Sequence, residues 1–461
     1  MKTLVNLLSA VALSSSVSSF GAEASPAAAT VDALFAAALA ADGQAYARLT
    51  ELVSQFPGRF PGHPHLTGAE QWAAAQFGAL GADRVYRQET TAASWSRGTT
   101  CEVSLTGQSG PVALAALAIG GSVGTPEGGL TAGVVEVRSA EALEALDPAR
   151  AKGRILFCNV AMDPTLPDVL TAYQETSDIR RKSAGVAGKL GARAVLIRSL
   201  TTRRDDTPHT GSMTYPPGDE RVPAIALSTL ACETLAAALA ADPALQVHVT
   251  LDCEPLPPAP VANVVAELTG TAFPDQIILV GAHIDSWDIS PGAHDDGAGV
   301  AQVMETLRLF RELKLKPRHT IRAVLFTNEE FGKAGAIRYV AAMREAGEKH
   351  IVAIESDHGG FAPLGYNLSH LHSDAPARAA RWRPLLEKHG LYRFERGEGG
   401  PDLRLFYPLG VPVAGLIVDS NRYFDLHHTP NDGLDQVHPR ELALGAGALA
   451  SFVWLVDQEG W

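Results

Sequence analysis

The sequence predicts an α/β protein: a mostly parallel, twisted sheet with helices on both faces, interrupted by a separate β-rich domain. Three observations predict it. From residue 261 onward, apolar runs of strand length alternate with helix-length stretches, the pattern of a largely parallel sheet. Between about residues 111 and 256 the texture shifts to short β-rich runs such as GVVEVR, RILFCNV and VPAIALS, separated by Ala-rich stretches. At 461 residues the chain also exceeds one typical domain.

Taken in order, the chain opens on Lys2 and the apolar run Leu4–Leu13, too short to span a bilayer, followed by small residues at Ala22-Glu23-Ala24. Residues 1–24 are therefore read as an export signal, and the mature chain is expected in the periplasm or outside the cell. No later apolar stretch is long enough for a membrane span. Residues 31–57 predict two helices, 57–68 a loop with His63 and His65 at the surface, 70–80 a helix and 84–89 the start of extended structure. Residues 25–110 and 259–461 are assigned to one domain and 111–258 to the insertion, which ends in the stiff run PLPPAP (255–260). The insertion holds no compact His/Asp/Glu cluster. It is expected to line the substrate cleft or mediate dimer contacts rather than do chemistry.

After the insertion the strands fall at Ile277–Val280, Thr320–Thr327, His350–Glu355 and Val411–Val418, with a closing helix over Glu441–Val456. Just past the first come His283 and Asp285, then Asp295 and Asp296; past the second Asn328-Glu329-Glu330 and a helix through Tyr339; past the third Asp357; past the fourth His427-His428-Thr429. In an open α/β sheet, ligands bind in the crevice beyond the carboxyl ends of the strands. Taken singly, each group has an ordinary explanation. Asp295 or Asp296 would cap the next helix, and Glu329 and Glu330 would complement a helix dipole. Four consecutive strand ends carrying such groups point instead to one shared site.

That set can hold two divalent metals sharing a carboxylate, with His283 and Asp357 on one, Glu330 and His428 on the other, and Asp295 bridging. N/O ligation suits zinc best, with manganese or cobalt as replacements. A water between two such ions becomes a nucleophile near neutral pH. Glu329 is then free to take its proton and pass it to a leaving amine, and Asp285 is placed to accept the other ring N–H of an imidazole.

Composition narrows the class further. Hydrophobic residues at 46% and charged residues at 19% suit a globular protein with a large core. The formal charge of −13 argues against nucleic acid or an anionic membrane surface as partner. The four cysteines, Cys101, Cys158, Cys232 and Cys253, form no CxxC pair, which disfavours a thiolate zinc site, and Cys158 in RILFCNV reads as a small buried hydrophobe.

His283-x-Asp285, GAHDDGAG (292–299), Asn328-Glu329-Glu330, Glu355-Ser356-Asp357 and HHTPND (427–432) closely resemble the motifs of the co-catalytic di-zinc exopeptidases, which include bacterial leucyl aminopeptidases and glutamate carboxypeptidases. The likeness extends to IRSL (197–200), PHTG (208–211) and GEGGPD (397–402). The resemblance implies a catalytic domain interrupted by a protease-associated-like domain, homodimers, small peptide substrates and a cis peptide after Asp295. It also implies His283, Asp295, Glu330, Asp357 and His428 as zinc ligands, with Glu329 as general base. His428 is favoured over His427 because the family's ligand directly precedes Thr or Ser. Gly433 stands where many members have Thr, a departure expected to touch loop stability rather than chemistry. Two other readings remain: cyclase or amidohydrolase chemistry on the same scaffold, disfavoured by five ligands, and a non-catalytic peptide-binding relative, which would lack ligands or Glu329. Amino-, carboxy- and dipeptidase action are left open. Arg404 and Arg422 are candidates for a substrate carboxylate, with the surface as their simpler place, and Asp402 for a substrate amine.

Overall fold

The computed structural model describes residues 26–40, 43–106 and 110–461; the export signal expected over 1–24 lies outside the described residues. Three helices open this part of the chain: α1 (Pro26–Ala38), α2 (Ala45–Gln55) and α3 (Pro64–Ala79). The third begins inside the stretch expected to be loop. His63 caps it by accepting the His65 N–H, and Pro64 fills a first-turn position where its missing N–H costs nothing. His63 is exposed and His65 partly so, consistent with surface residues.

Strand β1 (Arg84–Ser96) then feeds a second sheet. It contains β2 (Cys101–Thr106), β3 (Val112–Leu114), β4 (Ala116–Ala118), β5 (Leu130–Val137), β6 (Ile155–Cys158), β7 (Ala194–Arg198), β8 (Ala224–Leu227) and β9 (Gln246–Leu251). Helices α4 (Ala140–Glu144), α5 (Pro148–Ala151), α6 (Val169–Lys189) and α7 (Thr229–Ala241) connect them. The order is β3-β2-β9-β5-β6-β7-β8-β4, and the sheet curls until β4 returns against β2, nearly closing a barrel. Because β2 belongs here, the second sheet starts at Cys101, ahead of the change in texture at residue 111.

The chain returns through β10 (Glu254–Leu268), β11 (Phe273–His283), α8 (Ala298–Glu312), β12 (His319–Phe326), α9 (Ala334–Ala346), β13 (Lys349–Glu355), β14 (Pro363–Ser369), α10 (Ala375–Ala380), α11 (Arg383–Leu386), β15 (Arg393–Arg396), β16 (Val413–Val418) and α12 (Pro439–Glu459). The first sheet has the order β1-β10-β12-β11-β13-β16-β14-β15. The expectation of a mostly parallel sheet holds only at its centre, where β12, β11, β13 and β16 run parallel. The flanks are mixed. β1 and β10 pair antiparallel because the chain leaves and re-enters the sheet at one end, with Ser96 opposite Glu254. β14 runs back against β16 because the link 356–362 is too short for a crossover helix. The PLPPAP run is not a free connector. It is the first half of β10, where only β1 pairs with it, and Pro257 and Pro258 fall at a register shift that spares their missing N–H groups.

Both faces of the central strands are covered, which is why they read as continuous apolar runs. Ile278, Val280 and Ala282 of β11 pack with Ile321, Ala323 and Leu325 of β12 beneath α1, α8 and α12. Leu279, Val324 and Phe326 face Ala336, Tyr339 and Met343 of α9 on the other side. The four cysteines are free thiols; Cys158, fully buried, packs as a small hydrophobe against Ile179 and Ala184 of α6.

Candidate metal centre

The central parallel strands all end at the same crevice, and each delivers one group there. His283 is the last residue of β11, and its imidazole is buried. Past it, residues 284–292 are held by Arg59, fully buried, whose guanidinium donates to the carbonyls of Ile284, Pro291 and Gly292. Asp295 and Asp296 follow in a turn with non-helical backbone, joined by a cis peptide bond.

The two aspartates have different tasks. Asp296 accepts the N–H of Gly299 at 3.0 Å, capping α8, and the N–H of His283 at 3.1 Å. A side chain at Gly299 would collide with Ser356 O and with that carboxylate, so the close approach requires glycine. Asp295 instead turns its carboxylate between two imidazoles. Its Oδ1 lies 3.1 Å from His283 Nε2 and its Oδ2 3.4 Å from His428 Nε2. His283 Nε2 is also 3.3 Å from Asp357 Oδ1, and His428 Nε2 is 3.0 Å from Glu330 Oε2. The sequence-predicted set of His283, Asp295, Glu330, Asp357 and His428 is thus brought together. His427 is close as well, with Nε2 3.8 Å from Asp295 Oδ2 and its ring stacked on His428.

Glu329 and Glu330 sit in a turn rather than in the first turn of a helix, so the ordinary explanation that they complement a helix dipole does not apply. Asn328 adopts a left-handed conformation, its Oδ1 accepts the N–H of Ala334, and α9 begins only there. Glu329 points away from Glu330 and accepts Lys333 Nζ at 2.7 Å. The Asp285 carboxylate lies 3.5 Å from His283 Nδ1, beside the imidazole as expected, and it has further partners. His283 Nδ1 lies 3.1 Å from the main-chain carbonyl of Asp285, and the Asp285 carboxylate receives the N–H groups of Glu329 and Glu330. The turn after β12 lies beside the end of β11, so its two free N–H groups reach the same carboxylate. Asp402 is fully buried near Lys333 and Glu355 rather than open to a substrate amine. Arg404 is exposed and paired with Glu398, and Arg422, exposed, lies over the Phe361 ring.

Residues that sequence reasoning gave no role complete the shell. Asp432 accepts the N–H groups of His294 and Asp295 at 2.7 and 3.0 Å. It lies within the HHTPND motif, which was the available signal. Thr210 bonds His428; its PHTG segment was among the motifs of the resemblance, but its spacing does not point to His428.

The charge balance calls for cations. Asp285, Asp295, Asp296, Glu330, Glu355, Asp357, Asp402 and Asp432 are buried around this crevice, against few buried cationic groups such as Arg59. Burial, reinforced by neighbouring carboxylates, pushes the carboxyl groups of Asp296 and Glu330 well above their usual range and raises that of Asp357. Asp295 Oδ2 and Glu330 Oε1 are buried without any hydrogen-bond partner, a costly arrangement unless an ion binds them. Burial pushes the His428 imidazole down to about 3, keeping it neutral as a ligand must be. Residues from this crevice form three buried groups whose ligand atoms lie within 4.8 Å of one another: Asp295 with His427 and His428, His283 with Asp296 and Asp357, and His283 with Asp295 and Glu330. The donor set fits metal ions.

An α/β fold with a His/carboxylate centre at the ends of its parallel strands is the architecture of a metallopeptidase. The profile of peptidase family M28 matches residues 263–453. Carboxypeptidase Q of Mus musculus is 31% identical over 415 residues, covering 90% of this chain and 85% of the relative. The Homo sapiens carboxypeptidase Q is 30% identical over 416 residues, covering 90% and 86%. The crystal structure of a peptidase M28 precursor from Shewanella amazonensis superimposes with a TM-score of 0.88 at 32% identity, covering 94% of this chain and 96% of that one. A zinc aminopeptidase from Bacillus subtilis shares the fold at a TM-score of 0.66 and 20% identity, covering 91% and 96%. The chain belongs to peptidase family M28, and within that family it is similar to carboxypeptidase Q over nearly its whole described length.

Proposed function

We propose that the chain is a two-zinc exopeptidase that hydrolyses dipeptides or short peptides. His283 and Asp357 would hold one ion, Glu330 and His428 the other, and Asp295 would bridge. The observation that carries this reading is Asp295 itself, whose two carboxylate oxygens face two separate imidazole–carboxylate pairs. When bound, paired divalent ions lower the pKa of water and polarise a scissile carbonyl.

The chain's own residues do the rest. Glu329 is the general base. Burial works against its charge, but Lys333, with His283 and Arg404, outweighs it and keeps the carboxyl below its ordinary range. Lys333 holds Oε1, which leaves Oε2 to take a proton from the attacking water and return it to the departing amine. Asp285 fixes the backbone of Glu329 and Glu330, so base and ligand are aimed by one carboxylate. Asp432 does the same for Asp295.

The test is a panel of free, N-blocked and C-blocked dipeptides assayed with added zinc, before and after chelation. Cleavage of free dipeptides, lost on chelation and restored by zinc, is expected. Cleavage of N-blocked substrates alone would favour a carboxypeptidase, and of C-blocked substrates alone an aminopeptidase. Full activity in verified metal-free protein would overturn the metal reading.

A further inference from the structure

We infer that the segment Pro208–Gly211 of the second sheet is a working part of the metal centre, positioning His428 through the main chain of Thr210. The inference rests on the two-metal reading and goes beyond it, because it assigns part of the ligand geometry to the inserted sheet.

Thr210 and His428 exchange two hydrogen bonds. The Thr210 N–H donates to the His428 carbonyl at 3.1 Å, and His428 Nδ1 lies 3.3 Å from the Thr210 carbonyl. One residue earlier, His209 Nδ1 donates to the His427 carbonyl at 2.9 Å. Two consecutive carbonyls of the 427–428 turn are therefore taken by two consecutive residues of the second sheet. A carbonyl can only accept, so Thr210 O requires the proton on His428 Nδ1. Nε2 is left as a lone pair facing Glu330 Oε2 and Asp295 Oδ2. Three acceptors confronting one another need a proton or a metal ion between them.

The 427–428 turn does not hold this shape by itself. His428 has a φ of 62°, a left-handed conformation costing a non-glycine residue on the order of 1 kcal/mol or more, so surrounding bonds must impose it. The segment that imposes it is anchored. Thr210 Oγ1 donates to Ala118 O at 2.9 Å, and the His209 N–H donates to Ser199 Oγ at 2.8 Å. Arg97 donates to both Ala118 O and Thr210 Oγ1 while pairing with Asp288 at 2.6 Å, on the loop that follows His283. Trp287 of that loop packs 5.5 Å from the His428 ring and fills the space beside Gly120. The second sheet thus grips the loops on both sides of the bridging carboxylate.

Groups that orient a ligating histidine are each worth roughly 10–100-fold in metal affinity. The experiment measures zinc retained by the full-length protein against chelators of graded strength, with circular dichroism to verify folding. Wild type is expected to hold two ions per chain. His209→Leu removes the donor to His427 and is expected to release one of the two about 10–100-fold more readily. His209→Asn, whose amide can donate from the position of Nδ1, is expected to restore retention. A folded His209→Leu that keeps both ions with unchanged affinity would overturn the inference and leave the two-metal reading standing; wild type that binds no metal would overturn that reading instead. If His209→Leu does not fold, hydrogen exchange on the wild type decides. Zinc is expected to slow exchange at 208–211 together with 427–432, and protection of 427–432 alone would refute the role assigned to Thr210.

Discussion

The carboxylate of Asp285 lies 3.0 Å from the main-chain nitrogen of Glu329 and accepts its N–H. It also takes the next N–H, that of Glu330, at 3.2 Å. One buried side chain at the end of β11 thereby sets the backbone of the turn carrying both the candidate base and a candidate ligand. Asp285→Asn replaces one of those acceptor oxygens with an NH₂ group facing a backbone donor. Turnover is expected to fall about 10–100-fold, as for other orienting groups at metal sites, with the fold retained. Unchanged kcat in a folded, zinc-loaded variant would remove Asp285 from this role.

Glu329→Gln preserves shape but cannot take a proton. Turnover is expected to drop about 10²–10⁴-fold with zinc content unchanged, since Glu329 is not among the ligands. Metal analysis alongside kcat checks it, and near-native kcat would end its assignment as base.

Lys333 is the direct partner among the cations that lower the Glu329 carboxyl. Removing it in Lys333→Met lets burial raise the Glu329 carboxyl, so the base becomes protonated at higher pH. The acid limb of kcat against pH is expected to move upward, and Lys333→Arg to move it most of the way back. A limb that stays in place in Lys333→Met argues against the pair.

Removing zinc should also destabilise the protein, because the crowded carboxylates at Asp295, Asp296, Glu330 and Asp357 lose their counter-ions. Tm is expected to fall on chelation and to rise with zinc concentration, as for any ligand that binds only the folded chain. A Tm indifferent to zinc would contradict it.

His350 is buried against Tyr339, and burial pushes its imidazole down to about 4. The unfolded chain, with an ordinary histidine near 6.5, binds the proton first. Its neutral form therefore contributes stability that is complete above pH 6.5 and is lost as pH falls toward 4. Denaturant unfolding between those limits should show a shallower loss in His350→Gln than in wild type. An identical slope would mean that His350 does not titrate on unfolding.

The residues of the candidate metal centre were legible because the central strands are buried on both faces. Ile277–Val280 and Thr320–Thr327 stand out as apolar runs, and the polar residues that follow them mark the crevice. Strand direction at the flanks was not legible, since β10 and β14 owe their antiparallel pairing to where the chain turns back rather than to their own periodicity. The change in texture at residue 111 does not mark where the second sheet begins, because CEVSLT alternates much as the preceding strand does. The bonds from Asp285 to the 329–330 turn and the contact between Thr210 and His428 were hidden for one reason. Both depend on groups distant along the chain, where spacing carries no information.

The pairing of Ser96 with Glu254 has an evolutionary corollary. Excising everything between these neighbouring rungs would leave a gap that an ordinary hairpin turn could close, so topology alone would let the lobe be lost or exchanged as a cassette. The bonds that lobe sends to His427 and His428 oppose such an exchange, because any replacement would have to reach the same two carbonyls.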